Sequence, residues 1–311
     1  MTAAAYLAVY AGLLIFAAGC VRRILVYART PLHLRWELYP LPHEHPYRAA
    51  YGGSYFETQE WWQRRQTVNR RGEWLFMIEE ILLLKSLREH NRRLWLPSLL
   101  FHFGLYVAVA ATAAVSMAAA GGLYSPMPRS AGMAAALALG IKLSGTAAAV
   151  LIVAGALWLL ARRIADPALK NSTHAGDRFN LLFFIAAFSL LIAGSLRRAP
   201  GSLSLHALLR GAMHFDRGVR IDPVFAAGVI LTSALAAYIP YTHMAHFIAK
   251  YFTWHAVRWD DRRNDRGSGI EPAIGVALGY RPTWAAPHMG ADGKRTWAEI
   301  AADNRIEEAK R

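Results

Sequence analysis

Five stretches of the chain are almost unbroken in apolar residues, and the segments between them are polar or interrupted by proline. The apolar stretches are Ala3–Val21, Leu96–Ala120, Met133–Ala161, Phe179–Gly194 and Pro223–Phe252. As helices rising about 1.5 Å per residue, most are long enough to cross roughly 30 Å of hydrocarbon. Phe179–Gly194 is the shortest. The pattern predicts an all-α integral membrane bundle of five transmembrane helices over residues 1–252, followed by a polar tail over 253–311. A long polar segment, 22–95, separates the first two helices. Within it, Pro31, Pro40, Pro42 and Pro46 keep the chain extended or turning. Tyr51-Gly52-Gly53-Ser54-Tyr55-Phe56 reads as a turn flanked by aromatic residues. Glu73–Arg93 reads as an amphipathic helix leading into the second membrane helix, and Ser202–Met213 as a short interfacial helix.

Charge orients this bundle. The chain carries a formal net charge of +14, which in a soluble protein would raise nucleic acid as a partner. Here the basic residues flank membrane helices, so the partner they imply is the lipid bilayer rather than nucleic acid. The first apolar run has no Lys or Arg over Met1–Tyr6, and Arg22 and Arg23 follow it. A cleaved signal has the opposite order. The run therefore reads as a retained helix with its N-terminus outside. That orientation puts 22–95, 162–178 and the tail in the cytoplasm, with the C-terminus. The outer loop 196–222 holds Arg197, Arg198, Arg210, Arg217 and Arg220 and runs against the trend. The expected location is the cytoplasmic (inner) membrane of a bacterium or archaeon. Cys20 is the only cysteine, which excludes an internal disulfide, a Cys-x-x-Cys-His haem attachment and a cysteine-ligated iron–sulfur cluster.

The remaining chemistry lies in ionisable residues within the apolar runs, where burial in lipid makes each a functional candidate. His102 lies in Leu99-Leu100-Phe101-His102-Phe103-Gly104, about two turns into the second helix. His243 and His246 lie near the end of the fifth run, in Ile239-Pro240-Tyr241-Thr242-His243-Met244-Ala245-His246. The second helix starts in the cytoplasm and the fifth ends there, so His102 and His246 stand at nearly the same depth on different helices. Two imidazoles so placed can ligate a haem iron from both sides, making these the candidate metal ligands. Gly104 would let a flat macrocycle approach the backbone. The plainer alternative is that each histidine bonds a helix carbonyl or a lipid headgroup. His243 shares much of the helical face of His246, and could bind a haem propionate, relay a proton or be the ligand itself. Lys142 could meet a quinone oxygen or a propionate, or snorkel to headgroups. His90, His206 and His214 read as surface residues.

Three stretches resemble the gamma, or cytochrome b, subunit family of respiratory nitrate reductase. They are Leu100-Phe101-His102-Phe103-Gly104; the run from Ala149-Val150-Leu151-Ile152 through Leu160-Ala161-Arg162-Arg163 to Ala175-Gly176-Asp177; and Ile239–His246. The long segment containing Arg35-Trp36-Glu37-Leu38-Tyr39-Pro40 looks more like the related heterodisulfide-reductase-like and sulfite-reduction-associated branch. The resemblance implies haem b, electron exchange with membrane quinone or quinol, and a cytoplasmic iron–sulfur partner subunit. Relatives with two haems carry a second histidine about ten residues after the first and another about eighteen before the last, roughly 15 Å and 27 Å along a helix. Those positions hold Thr112 and Gly228 here, so one haem b is expected. The rival readings are a haem relay with no quinone site, a membrane anchor without redox function, and a transporter, which lacks support from any broken helix pair or inverted repeat.

Overall fold

The computed structural model describes residues 1–30, 44–65, 68–124, 131–197, 205–258, 265–283 and 290–303. No strand occurs among them. Five long helices dominate: α1 (Thr2–Arg29), α2 (Arg92–Tyr124), α3 (Ala131–Ala165), α4 (Ala175–Leu196) and α5 (Pro223–Tyr238). Each of the first four contains a stretch long and apolar enough to span a membrane, and α5 does so together with the turn that continues it to Tyr241. The all-α five-helix expectation therefore holds. The chain divides into two compact units, one comprising Met1–Gly19 with Met77–Met244, the other Cys20–Phe76 with Ala245–Arg311.

In the first unit, glycines let helices approach backbone to backbone. A Cβ on Gly104 of α2 would lie 2.8 Å from Ile152 Cγ1 and 2.9 Å from the Ile152 nitrogen on α3. On the other side of the same contact, a Cβ on Gly155 would lie 2.6 Å from the Phe101 nitrogen. Gly194 of α4 meets the Phe225 backbone of α5, and Gly228 of α5 meets Leu190 and Leu191 of α4. In lipid, where water gives no apolar drive between helices, such small residues allow the close packing that holds them together. Phe101, Ile152, Ala156, Phe184, Ala187 and Leu235 fill the space between these pairs. The N-terminal part of α1 is tied to a helix at Leu205–His214 and the turn after it. Thr2 Oγ1 donates to the Val219 carbonyl at 2.8 Å, Tyr6 Oη to Asp216 O at 3.0 Å, and Tyr10 Oη to Ala212 O. The expected interfacial helix is thus present, and it buries Leu208 and Ala212 beside Ala5 and Tyr6.

Two elements differ from the sequence reading. The amphipathic lead-in is two helices, Arg70–Leu83 and Lys85–His90, broken at Leu84, whose φ of 50° is left-handed. Polar groups hold the break together. Glu80 accepts from the Ser86 nitrogen at 2.7 Å and hydroxyl at 2.8 Å. Trp95 Nε1 and Tyr106 Oη donate to the Leu83 and Ile81 carbonyls at 2.7 Å and 2.6 Å, satisfying acceptors that a helix end leaves unpaired. The second difference is in the fifth apolar run. It is not one helix to Phe252: α5 stops at Tyr238, a 3₁₀ turn follows over Ile239–Tyr241, and Thr242 is extended at φ −119°, ψ 178°. Pro240 has no N–H to continue the ladder and its ring crowds the preceding turn, which is why the helix cannot run on. A further 3₁₀ turn, His243–Ala245, leads into a separate helix, His246–Phe252.

In the second unit, residues 44–58 form a compact polar turn. Buried Glu44 accepts from Ser54 Oγ at 2.7 Å and the Tyr55 nitrogen at 3.0 Å, and Arg48 donates to Ser54 O and Thr58 Oγ1 at 2.8 Å and 2.7 Å. Tyr55, Phe56 and Trp61 pack their rings together beside it, centroids 4.3–5.9 Å apart. The Arg35–Tyr39 stretch lies outside the described residues. In the tail, helices form at Ile270–Leu278 and Trp297–Ala301, the latter capped by Thr296 and Glu299.

Candidate functional site

Each candidate residue can now be placed. His102 sits on α2 in the first unit, partly buried. Its Nδ1 lies 2.7 Å from the Ser98 carbonyl one turn earlier. A carbonyl only accepts, so the ring proton belongs on Nδ1 and Nε2 carries the lone pair. That tautomer is the one that ligates a metal through Nε2, with the carbonyl fixing the ring. His246 opens the short helix His246–Phe252 in the second unit and is exposed. The matched-depth argument for the pair assumed an unbroken helix through His246, and the Pro240 break removes that assumption. Gly104 does not face open space for a macrocycle either; its bare side is taken up by α3. Lys142 lies within α3, but its side chain falls outside the described residues. The side chain of His206 likewise lies outside them, while His90 and His214 are exposed as expected.

Among the described residues, His243 lies against two polar side chains of α4. Its Nε2 is 3.2 Å from Asp177 Oδ1 and 3.3 Å from Asn180 Nδ2. Both partners lie on the first two turns of α4, three residues apart and so on one face. Asp177 divides its carboxylate: Oδ2 accepts from the His174 nitrogen at 2.9 Å, capping the helix start, and Oδ1 faces the imidazole. The positive end of the helix favours a carboxylate there. Asn180 is only 5% exposed, and its Oδ1 is buried with no hydrogen-bond partner among the described residues. Sequence reading placed Asp177 in a family motif and passed over Asn180. The available signal was an amide inside the otherwise apolar run that starts at Phe179.

The order of these elements agrees with what comparison with known families finds. A model of the nitrate reductase gamma subunit family matches residues 86–260, more than half of the chain. The chain belongs to this family. The matched region of this gamma-family subunit holds α2 to α5 with His102, Asp177, Asn180, His243 and His246. Family and helices together make it a multi-pass membrane protein, a cytochrome b-type membrane subunit of a respiratory redox complex. A comparison with curated proteins gave no match. For the haem that the gamma family implies, the donor chemistry of His102 fits, because its Ser98 bond leaves Nε2 as the basic nitrogen.

Proposed function

We propose that this subunit carries electrons between membrane quinone and a cytoplasmic iron–sulfur subunit through one haem b held by His102 and His246. The observation that carries the reading is the His102 ring, partly buried on a membrane helix and held by the Ser98 carbonyl in the metal-binding tautomer. His246 is preferred to His243 as second ligand because it stands where the resembling family has its terminal ligand histidine. When bound, haem b supplies a one-electron carrier between two-electron quinol and one-electron iron–sulfur chemistry. His102 and His246 would hold it. A single haem is supported at the second-site positions as well. Thr112 is not an iron ligand, and Gly228 lies against the Leu190–Leu191 backbone, where no side chain fits.

The basic flanks 22–95 and 162–178 orient the bundle with both on the cytoplasmic side, where the partner would dock. In the membranes or the purified complex, adding quinol is expected to reduce a haem b absorption band on the time scale of turnover. A haem band that dithionite reduces and quinol does not would leave a relay with no quinone site; no haem band at all would leave a bare anchor.

The partner's contact is the aromatic segment Arg35–Phe56, whose described end is the Glu44–Ser54 turn with Tyr51 and Tyr55 around it. The alternative is that these aromatics only rest at the membrane interface. Deleting Tyr51–Phe56 is expected to release the iron–sulfur subunit during affinity purification while haem content stays at the wild-type value. Undiminished co-purification would assign the segment to the lipid interface instead.

A further inference from the structure

The His102–His246 reading gives Asp177, Asn180 and His243 no role. They lie where α4 begins and α5 ends, at the same end as Arg162 and Arg163 at the close of α3. The geometry points to Asp177, Asn180 and His243 as the hydrogen-bonding site for the quinone head group, a refinement that rests on the quinone reading above.

Three observations carry it. The first is the orphaned amide. A buried polar atom without a partner is costly, so its persistence calls for a ligand that satisfies it. The second is the conflict at His243. Nε2 stands between an acceptor, Asp177 Oδ1, and a donor, Asn180 Nδ2, and cannot suit both in one state. With Nε2 unprotonated, it accepts from Asn180 Nδ2, and the amide oxygen is left to accept an O–H. With Nε2 protonated, it donates to Asp177, and a turned amide can accept from it through Oδ1 and present Nδ2 to a C=O. The site therefore offers an acceptor in one state and a donor in the other. A quinol presents a hydroxyl and a quinone a carbonyl at the same atom, so one ligand class matches both states. A haem propionate would match only the donor state, because in the other Asp177 and the amide oxygen are both acceptors and would repel a carboxylate.

The third observation is the wall beside these groups. Phe179 and Phe183 of α4 and Tyr238 of α5 form a mutual aromatic cluster, with centroids 5.6 Å, 5.8 Å and 5.9 Å apart. Phe179 is 52% exposed on the face a membrane would cover, which gives a lipid-soluble ring an apolar approach. The His243 side chain is 65% exposed, so its rotation can open the way to the buried amide. The apolar path with a few converging polar groups is the usual make-up of a small-molecule site.

The test is binding of a fluorescent 4-hydroxyquinoline N-oxide, a quinol mimic, to the purified complex, followed by quenching alongside haem content. Asn180→Leu is expected to weaken binding by about tenfold or more, the loss of one good hydrogen bond with desolvation of its ligand partner. His243→Ala and Asp177→Asn should weaken it less, and all three should keep their haem. Lys142→Ala should bind as wild type. Wild-type affinity in Asn180→Leu overturns the site, as does loss of binding in Lys142→Ala with Asn180→Leu unaffected. If Asn180→Leu does not fold, His243→Ala decides alone, since its side chain is largely exposed; unchanged affinity there overturns the site. Haem lost from His243→Ala with probe binding retained also overturns it, by making His243 a ligand. No quenching by the wild-type complex would instead sink the quinone reading on which the site rests.

Discussion

His102→Ala is expected to yield a subunit that inserts in the membrane and purifies with its partners but holds essentially no haem. The wild type should hold one haem per subunit. The effect should be near total because the proposed role of the imidazole is to ligate the iron, and alanine would offer the iron nothing. The Ser98 carbonyl would lose its Nδ1–H partner as well, but a helix carbonyl with a mostly satisfied backbone bears that loss at about 1 kcal/mol. Insertion should therefore survive, and the readout separates ligand loss from misfolding. His246→Ala should behave alike. Haem kept by His246→Ala and lost by His243→Ala would move the second ligand to His243. Full retention in His102→Ala, or a haem-to-subunit ratio near two, would overturn the one-haem assignment.

The second large effect is expected in packing. Gly194→Leu should lower the thermal midpoint of the detergent-solubilised subunit sharply and reduce its yield from membranes. A Cβ at position 194 would lie 2.6 Å from Phe225 Cβ and nearer still to the Phe225 backbone. Backbone cannot rotate aside as a flexible side chain can, so α4 and α5 must separate. Overpacking of this kind costs roughly 1–3 kcal/mol in soluble cores and more where rigid backbone is struck. Separation would also forfeit the close contacts that take the place of a hydrophobic drive in lipid. Gly176→Leu, at a glycine with nothing within reach of an added Cβ, is the matched control and should leave the midpoint unchanged. Equal midpoints for the two variants would refute the account of the α4–α5 contact.

The spanning helices were legible because lipid imposes a simple rule: long apolar runs become helices that satisfy their own backbone. Their ends were less legible. Hydropathy does not register that Pro240 lacks an N–H, so Pro223–Phe252 read as one helix when it holds a helix, two tight turns and a second helix. The break at Leu84 was hidden for a related reason. Its left-handed backbone is held by Glu80, Trp95 and Tyr106, which are tertiary partners that no local pattern announces. At the site, His102 and His243 stood out as ionisable residues in apolar surroundings. Asn180 did not, since a neutral amide scarcely lowers the hydropathy of a run and its importance comes from the unpaired oxygen. The role of Gly104 was misjudged because sequence shows that a glycine permits close approach but not to what; here it is Ile152 rather than a cofactor.

The bare face of Gly228 against the Leu190–Leu191 backbone bears on how such a subunit could change over generations. Turning it into a two-haem carrier would need a histidine at this position, and its ring would have to occupy space already filled by the main chain of α4. No single codon change could be accepted there. The lineage would first have to push α4 and α5 apart and so pass through a loosened, less stable bundle. Position 228 is thus guarded by the distance between two helices, and would be slow to drift even if a larger residue there were favoured.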